Sequence, residues 1–177
     1  LNYKKNNLNG KQSYYYDNGH PKKIINYKEG TFNGSYKTYY KDSVLKMSKF
    51  FKNGTIDGDE LFFHENGQKA FIKHWDEGIE IGRWEYYYEN GQLRKLGSWK
   101  DGLKDGKWEH YLENGNKTDF VLFSRGRVWM VLEFDRFGVV KSHEEEIKFN
   151  EMLKNKSSIE ASETRKGRRK LKKQKAK

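Results

Sequence analysis

The sequence predicts an all-β fold: an elongated, single-layer antiparallel sheet of tandem 24-residue β-hairpin repeats, followed by a short C-terminal helix and a basic disordered tail. Three observations predict it. Glycine recurs at a fixed step of 24 residues, as Gly10, Gly34, Gly58, Gly82 and Gly106. Two further series, Gly19, Gly67, Gly91 and Gly115, and Gly30, Gly54, Gly78, Gly102 and Gly126, keep the same step, with Ser43 as the one exception. Aromatic residues keep it too, as Tyr15, Tyr39, Phe63, Tyr87 and Tyr111, and as Tyr27, Phe51, Trp75, Trp99 and Phe123. A period of this length is the signature of a repeat architecture.

The first nine residues form a partial repeat. Tyr3 to Gly10 aligns with Tyr27 to Gly34, so the chain opens in the second half of a repeat and reads as cut from a longer array. Five full repeats follow from Gly10, and the array spans residues 1–126. Within one repeat, the aromatic run RWEYYY at 83–88 favours a strand. Asn90-Gly91 then signals a type I′ hairpin turn, in which both residues take positive φ. QLRKLGSW at 92–99 is the returning strand. Asp101-Gly102 opens a turn on the opposite edge, and Gly106 is read as part of the turn chemistry leading to the next strand. Ser43 in "KDSV" is expected to weaken its turn. Gly97 lies outside the three series, at a strand position, where it permits a bend or a close approach.

The pattern decays after Gly126. Met130 stands where the next glycine belongs, yet 127–141 still reads as a hairpin, more aliphatic than the others, that caps the sheet edge. Ser142-His143-Glu144-Glu145 is a capping box, and Phe149, Met152 and Leu153 follow at helical spacing, so 142–156 is expected to be a short helix. Residues 157–177 are poor in apolar side chains and are expected to be disordered.

Composition bounds the function. Apolar and charged residues each make up 34% of the chain and aromatics 16%, which points to a thin fold held by large rings. Cysteine is absent, so disulfides and thiolate metal sites are excluded. No apolar run is long enough to span a membrane as a helix. The compartment stays open, with the cytoplasm slightly favoured and any upstream leader outside the sequence. The net charge of +11 is concentrated in the tail, where eleven Lys and Arg from Lys154 to Lys177 face only Glu160 and Glu163.

The unit G-x-W-x-x-Y-Y-x-N-G…W-x-D-G-x-x-x-G, clearest at Gly82 to Gly106, resembles the MORN-repeat variant, whose bacterial arrays are grouped as YwqK-type antitoxins. The resemblance covers residues 3–126. It implies a single-layer sheet of hairpins, a binding or scaffolding role without enzyme activity, and protein or acidic phospholipid ligands. It carries over no toxin-neutralising residue.

The residues themselves yield no catalytic, cofactor or metal site. The glycines do not form a phosphate loop, since G-x-x-x-x-G-K-[ST] is missing. Of the five histidines, His64 and His110 stand where other repeats carry Tyr or Phe, and none makes an HxxH or HxxxH pair. Glu65, Glu89 and Glu113 recur before the Asn-Gly turns as solvated turn residues. Two binding candidates emerge. Trp84, Tyr86, Tyr88 and Trp108 would form an exposed stacking face, although packing against neighbouring repeats explains them as well. Arg165, Lys166, Arg168, Arg169, Lys170, Lys172 and Lys173 would attract phosphates of anionic lipid or nucleic acid without reading sequence. The function expected is a non-enzymatic β-repeat scaffold for a protein partner, of antitoxin-like or assembly type, with no small-molecule substrate. The alternative is a peripheral binder of anionic membrane or nucleic acid through the tail.

Overall fold

The computed structural model describes residues 2–4, 6–135, 137–140 and 151. The helix expected at 142–156, apart from Glu151, and the tail at 157–177 lie outside the described residues. Fourteen strands run in chain order: β1 Tyr3–Lys4, β2 Asn7–Leu8, β3 Gly10–Tyr15, β4 Pro21–Lys28, β5 Thr31–Tyr39, β6 Leu45–Lys52, β7 Thr55–Ile56, β8 Gly58–Phe63, β9 Lys69–Asp76, β10 Ile79–Tyr87, β11 Leu93–Lys100, β12 Leu103–Tyr111, β13 Lys117–Ser124 and β14 Arg127–Glu133. β1 and β2 pair with each other, and the other twelve form one antiparallel sheet in sequence order. β7 pairs only with β6, and β8 follows β6 in the sheet; from β3 to β6 and from β8 to β14 each strand pairs with the next, as a chain of tight hairpins must.

The two edges of the sheet use different turns, and the assignment is the reverse of the one the sequence suggests. At Asn90-Gly91 only Gly91 has positive φ, at 81°. Gly91 N–H donates to the Tyr88 carbonyl at 3.0 Å and Tyr88 N–H to the Gln92 carbonyl at 2.9 Å. This is a type I turn closed by a glycine bulge, and it lets the Asn90 side chain accept from Gln92 N–H at 2.9 Å. The type I′ turns lie on the other edge. Asp101 and Gly102 have φ of 52° and 73°, and Glu29-Gly30, Asn53-Gly54, Glu77-Gly78 and Arg125-Gly126 repeat the pair. Ser43 holds the glycine conformation at φ 75° and keeps the bond to the Tyr40 carbonyl at 3.1 Å, so that turn survives with a serine in a costly region.

The glycines at 10, 34, 58, 82 and 106 are not turn residues. All have positive φ. Gly82 and Gly106 lie inside β10 and β12, where they begin a wide bulge. Gly82, Arg83 and Trp84 stand against Lys73 alone in the β9–β10 ladder, and Gly106, Lys107 and Trp108 against Gly97 in the β11–β12 ladder. The bulge swings the residue two after the glycine over the neighbouring strand, where it becomes buried. Gln12, Trp84 and Trp108 occupy this seat at 1%, 4% and 1% exposure. The single layer thus makes its core within itself.

Gly97 is explained by the same geometry. Trp84 is its cross-strand partner on β10, and the Trp108 bulge faces it from β12. A Cβ on Gly97 would lie 2.0 Å from the Trp108 ring. Only this repeat lies between two tryptophan seats; the same position elsewhere carries Ile25, Lys49, Lys73 and Val121.

Gly97→Ala should therefore lower unfolding stability by on the order of 1–3 kcal/mol in urea titration, from forced displacement of a packed ring. Adding Trp108→Leu should make the Gly97→Ala penalty smaller, a coupling that a double-mutant cycle measures. A Gly97→Ala protein as stable as the parent would contradict the reading.

Candidate binding surface

The rings form a row along one face of the sheet. Tyr27, Phe32 and Phe51 succeed one another at centroid distances of 5.0 and 5.2 Å. After an interruption at Glu60 the row continues through Trp75, Trp84, Trp99, Trp108 and Phe123, spaced at 5.3, 4.9, 5.8 and 6.2 Å. At the interruption, Glu60 takes the seat that tryptophan fills later. Its carboxylate accepts from the Trp75 indole at 3.2 Å and lies 3.7 Å from the Lys49 ammonium.

Lysines cover this row. Lys73 lies 4.9 Å from the Trp84 ring centre, Lys95 4.9 Å and Lys104 4.8 Å from Trp108. Each ammonium lies over a ring face, where the ring's negative face attracts it. Burial, reinforced by neighbouring Lys104 and Arg94, holds the Lys95 ammonium below its ordinary range.

This arrangement corrects the expected stacking face. Trp84 and Trp108 are buried rather than exposed, because the bulge seats them against the adjacent strand and lysine covers them. Their indole N–H groups donate to the His74 carbonyl at 3.2 Å and the Ser98 carbonyl at 3.1 Å. Tyr86 is half-buried, 6.1 Å from Phe71, and burial raises its hydroxyl pKa. Tyr88 is also half-buried, and its hydroxyl donates to the Tyr111 carbonyl at 2.8 Å. The four residues bind their own array. The seven tail candidates from Arg165 to Lys173 lie outside the described residues.

Bonds from repeat to repeat run along both edges. Tyr16 and Tyr40 donate to the Tyr39 and Phe63 carbonyls at 2.8 and 2.7 Å, and His64 replaces the tyrosine with a 3.1 Å contact to the Tyr87 carbonyl. Asn18, Asn66 and Asn90 donate to the Lys41, Glu89 and Glu113 carbonyls of the next turn on that edge, at 3.0, 2.7 and 3.0 Å. On the opposite edge Asn9, Asn33, Asp57 and Asp105 accept from the next turn's N–H, at 3.2–3.4 Å. His110 serves a different end, its Nδ1 lying 2.6 Å from Asp119. Among the described residues no group of three His, Cys, Asp or Glu is placed to hold a metal ion.

The face that is exposed lies at the C-terminal end of the sheet. With Met130 in place of glycine, the β13–β14 bulge shrinks to a single extra residue, Trp129. Leu132 is buried, but Trp129 is 64% exposed, beside Val128 at 58% and Val131 at 44%. The sequence marks 127–141 only as a cap; Leu132, two residues after Met130, takes the buried place, and Trp129 is the extra residue of the bulge, left in water.

Trp99 differs from its neighbours, since its buried indole N–H has no acceptor among the described residues. Trp99→Phe should accordingly cost less stability than Trp108→Phe, by about 1 kcal/mol, the value of a hydrogen bond to a buried carbonyl. Thermal or urea unfolding of the two variants measures the difference, and equal losses would contradict the assignment. No curated protein matches the chain. The family described as MORN repeat variant matches it at three stretches, residues 8–29, 56–77 and 80–101.

Proposed function

We propose that the chain is a non-enzymatic scaffold that binds a protein partner, in an antitoxin-like or assembly role. MORN repeats are often protein- or membrane-binding motifs and typically form a non-enzymatic module. One observation carries the choice of a protein. The tryptophan of the degenerate repeat, Trp129, stands in water with Val128 and Val131, while Trp84 and Trp108 in the regular repeats are buried. A contiguous apolar patch centred on a tryptophan has the composition of an interface centre. Binding along the sheet then concentrates at β14 rather than on the tryptophan row.

A second reading rests on the charge run from Arg165 to Lys173. A polybasic segment is drawn to anionic lipid headgroups or nucleic acid, and salt weakens the attraction.

Trp129→Glu should abolish retention of a specific partner in affinity capture from the source cells, with the far-UV spectrum unchanged. Retention of the same protein by the variant would overturn the Trp129 surface. Co-sedimentation with anionic vesicles tests the second reading, comparing the full chain with one ending at Leu153. Loss of sedimentation on truncation supports the tail, and equal behaviour of the two proteins removes it.

A further inference from the structure

Two clefts flank Tyr88 on the edge of the Asn-Gly turns. The first, about 350 Å³, has Glu89 and Glu113 in its wall with His64 and Arg94. The second, about 440 Å³, is lined by Tyr88, Arg94, Lys95, His110, Leu112 and Thr118, with the adjoining Tyr111, and no carboxylate is in its wall.

The second cleft exists because the repeat departs from its own pattern. In the first two repeats a lysine lies over a tyrosine at the corresponding place: Lys22 is 5.5 Å from the Tyr16 ring centre and Lys46 5.0 Å from that of Tyr40. Leu112 and Thr118 hold these two positions in the fifth repeat. Both are shorter, so a space opens between them and the Tyr88–Arg94 pair of the repeat before.

The charges around that space are unbalanced. Lys49, Lys52, Arg83, Lys107 and Lys117 each face a glutamate. Arg94 and Lys95 make no salt bridge among the described residues. Asp119, whose charge acts on Lys95, is already held by His110 Nδ1 at 2.6 Å and by the Thr118 hydroxyl at 2.8 Å, and Glu89 and Glu113 lie with Arg94 in the first cleft. The Lys95 pKa is lowered by burial first and then by Lys104 and Arg94, and Asp119 offsets this only in part.

We propose that this cleft binds an oxyanion, a carboxylate or phosphate ester carried on a small apolar body. Arg94 offers a planar fork of donors suited to either group, and Lys95 adds a point charge. Leu112 and the Tyr88 ring supply apolar wall for the body. The volume suits a small ligand or a single side chain. This site is distinct from the Trp129 patch and does not depend on the partner reading.

The test is an amide NMR titration of the intact chain with phenyl phosphate and, separately, with benzoate, using benzyl alcohol as the uncharged control. Saturable shifts are expected at Arg94, Lys95, Leu112 and Thr118 with at least one of the anions. Arg94→Gln should weaken binding about tenfold, the loss of one charge-assisted bond. Arg125→Gln, at a turn on the other edge, should leave it unchanged. Leu112→Tyr restores the residue that the first, second and fourth repeats carry as Tyr16, Tyr40 and Tyr88, and should close the cleft without loss of folding. A preference for phenyl phosphate would assign a phosphate source, and a preference for benzoate a carboxylate source. Absence of saturation with both anions, equal shifts with benzyl alcohol, or unchanged binding by Arg94→Gln or Leu112→Tyr would overturn the proposal.

Discussion

A sheet one layer thick has nothing above or below it to bury its apolar side chains against. The bulge set by the left-handed glycine solves this problem, and the rest of the structure depends on it. Each such glycine admits extra residues into one strand and carries the side chain two places on over the adjacent strand. The cost is a backbone conformation that only glycine adopts cheaply. The gain is a seat two residues after each glycine, held by Gln12, Tyr36, Glu60, Trp84 and Trp108 in turn, buried at Gln12, Trp84 and Trp108 and half-buried at Tyr36 and Glu60. The occupants differ in chemistry, and their surroundings differ to match. Gln12 uses its amide to hold Asn2 at 2.7 Å through both N–H and carbonyl, Glu60 takes a lysine and an indole, and the tryptophans take carbonyls and a glycine neighbour.

Because each seat lies between two strands of successive hairpins, stability is shared between nearest neighbours, as in other repeat proteins. The edge bonds follow the same rule, each reaching one repeat ahead. Regularity makes the array, and departures from it make surfaces. Without a glycine at 130 the β13–β14 bulge shrinks to Trp129, which stands exposed while Leu132 is buried. Losing the Tyr–Lys pair at Leu112 and Thr118 opens a cleft beside Arg94 and Lys95, which make no salt bridge among the described residues. Functional features of such a chain are found where the period fails.

The 24-residue step made the all-β class and the order of hairpins readable from the sequence alone, because turn glycines and strand aromatics repeat together. Position within the period did not reveal backbone conformation. Asn90-Gly91 has the composition of a type I′ turn, but the Asn side chain bonds instead to the Gln92 backbone and to the Glu113 carbonyl, at 2.9 and 3.0 Å, which a type I turn with a bulge permits. Gly106 has the spacing of a turn residue and lies inside a strand. That Trp84 and Trp108 pack against neighbouring repeats was legible, but the means was not, since alternation along a strand assigns a face and cannot say that a bulge covers one of its members. The lysines over the rings were equally hidden. Lys49 and Lys73 share a position in the period, and only the bulge opposite them explains why Gly97 replaces them next.

Site-resolved native-state hydrogen exchange tests the central claim, that bulge seats fix local stability. The account predicts the highest opening free energies across β10–β13, around the Trp84 and Trp108 seats, and lower values across β6–β9, where Glu60 fills the seat and interrupts the ring row. Uniform protection through the sheet, or greater protection around Glu60 than around Trp108, would contradict it.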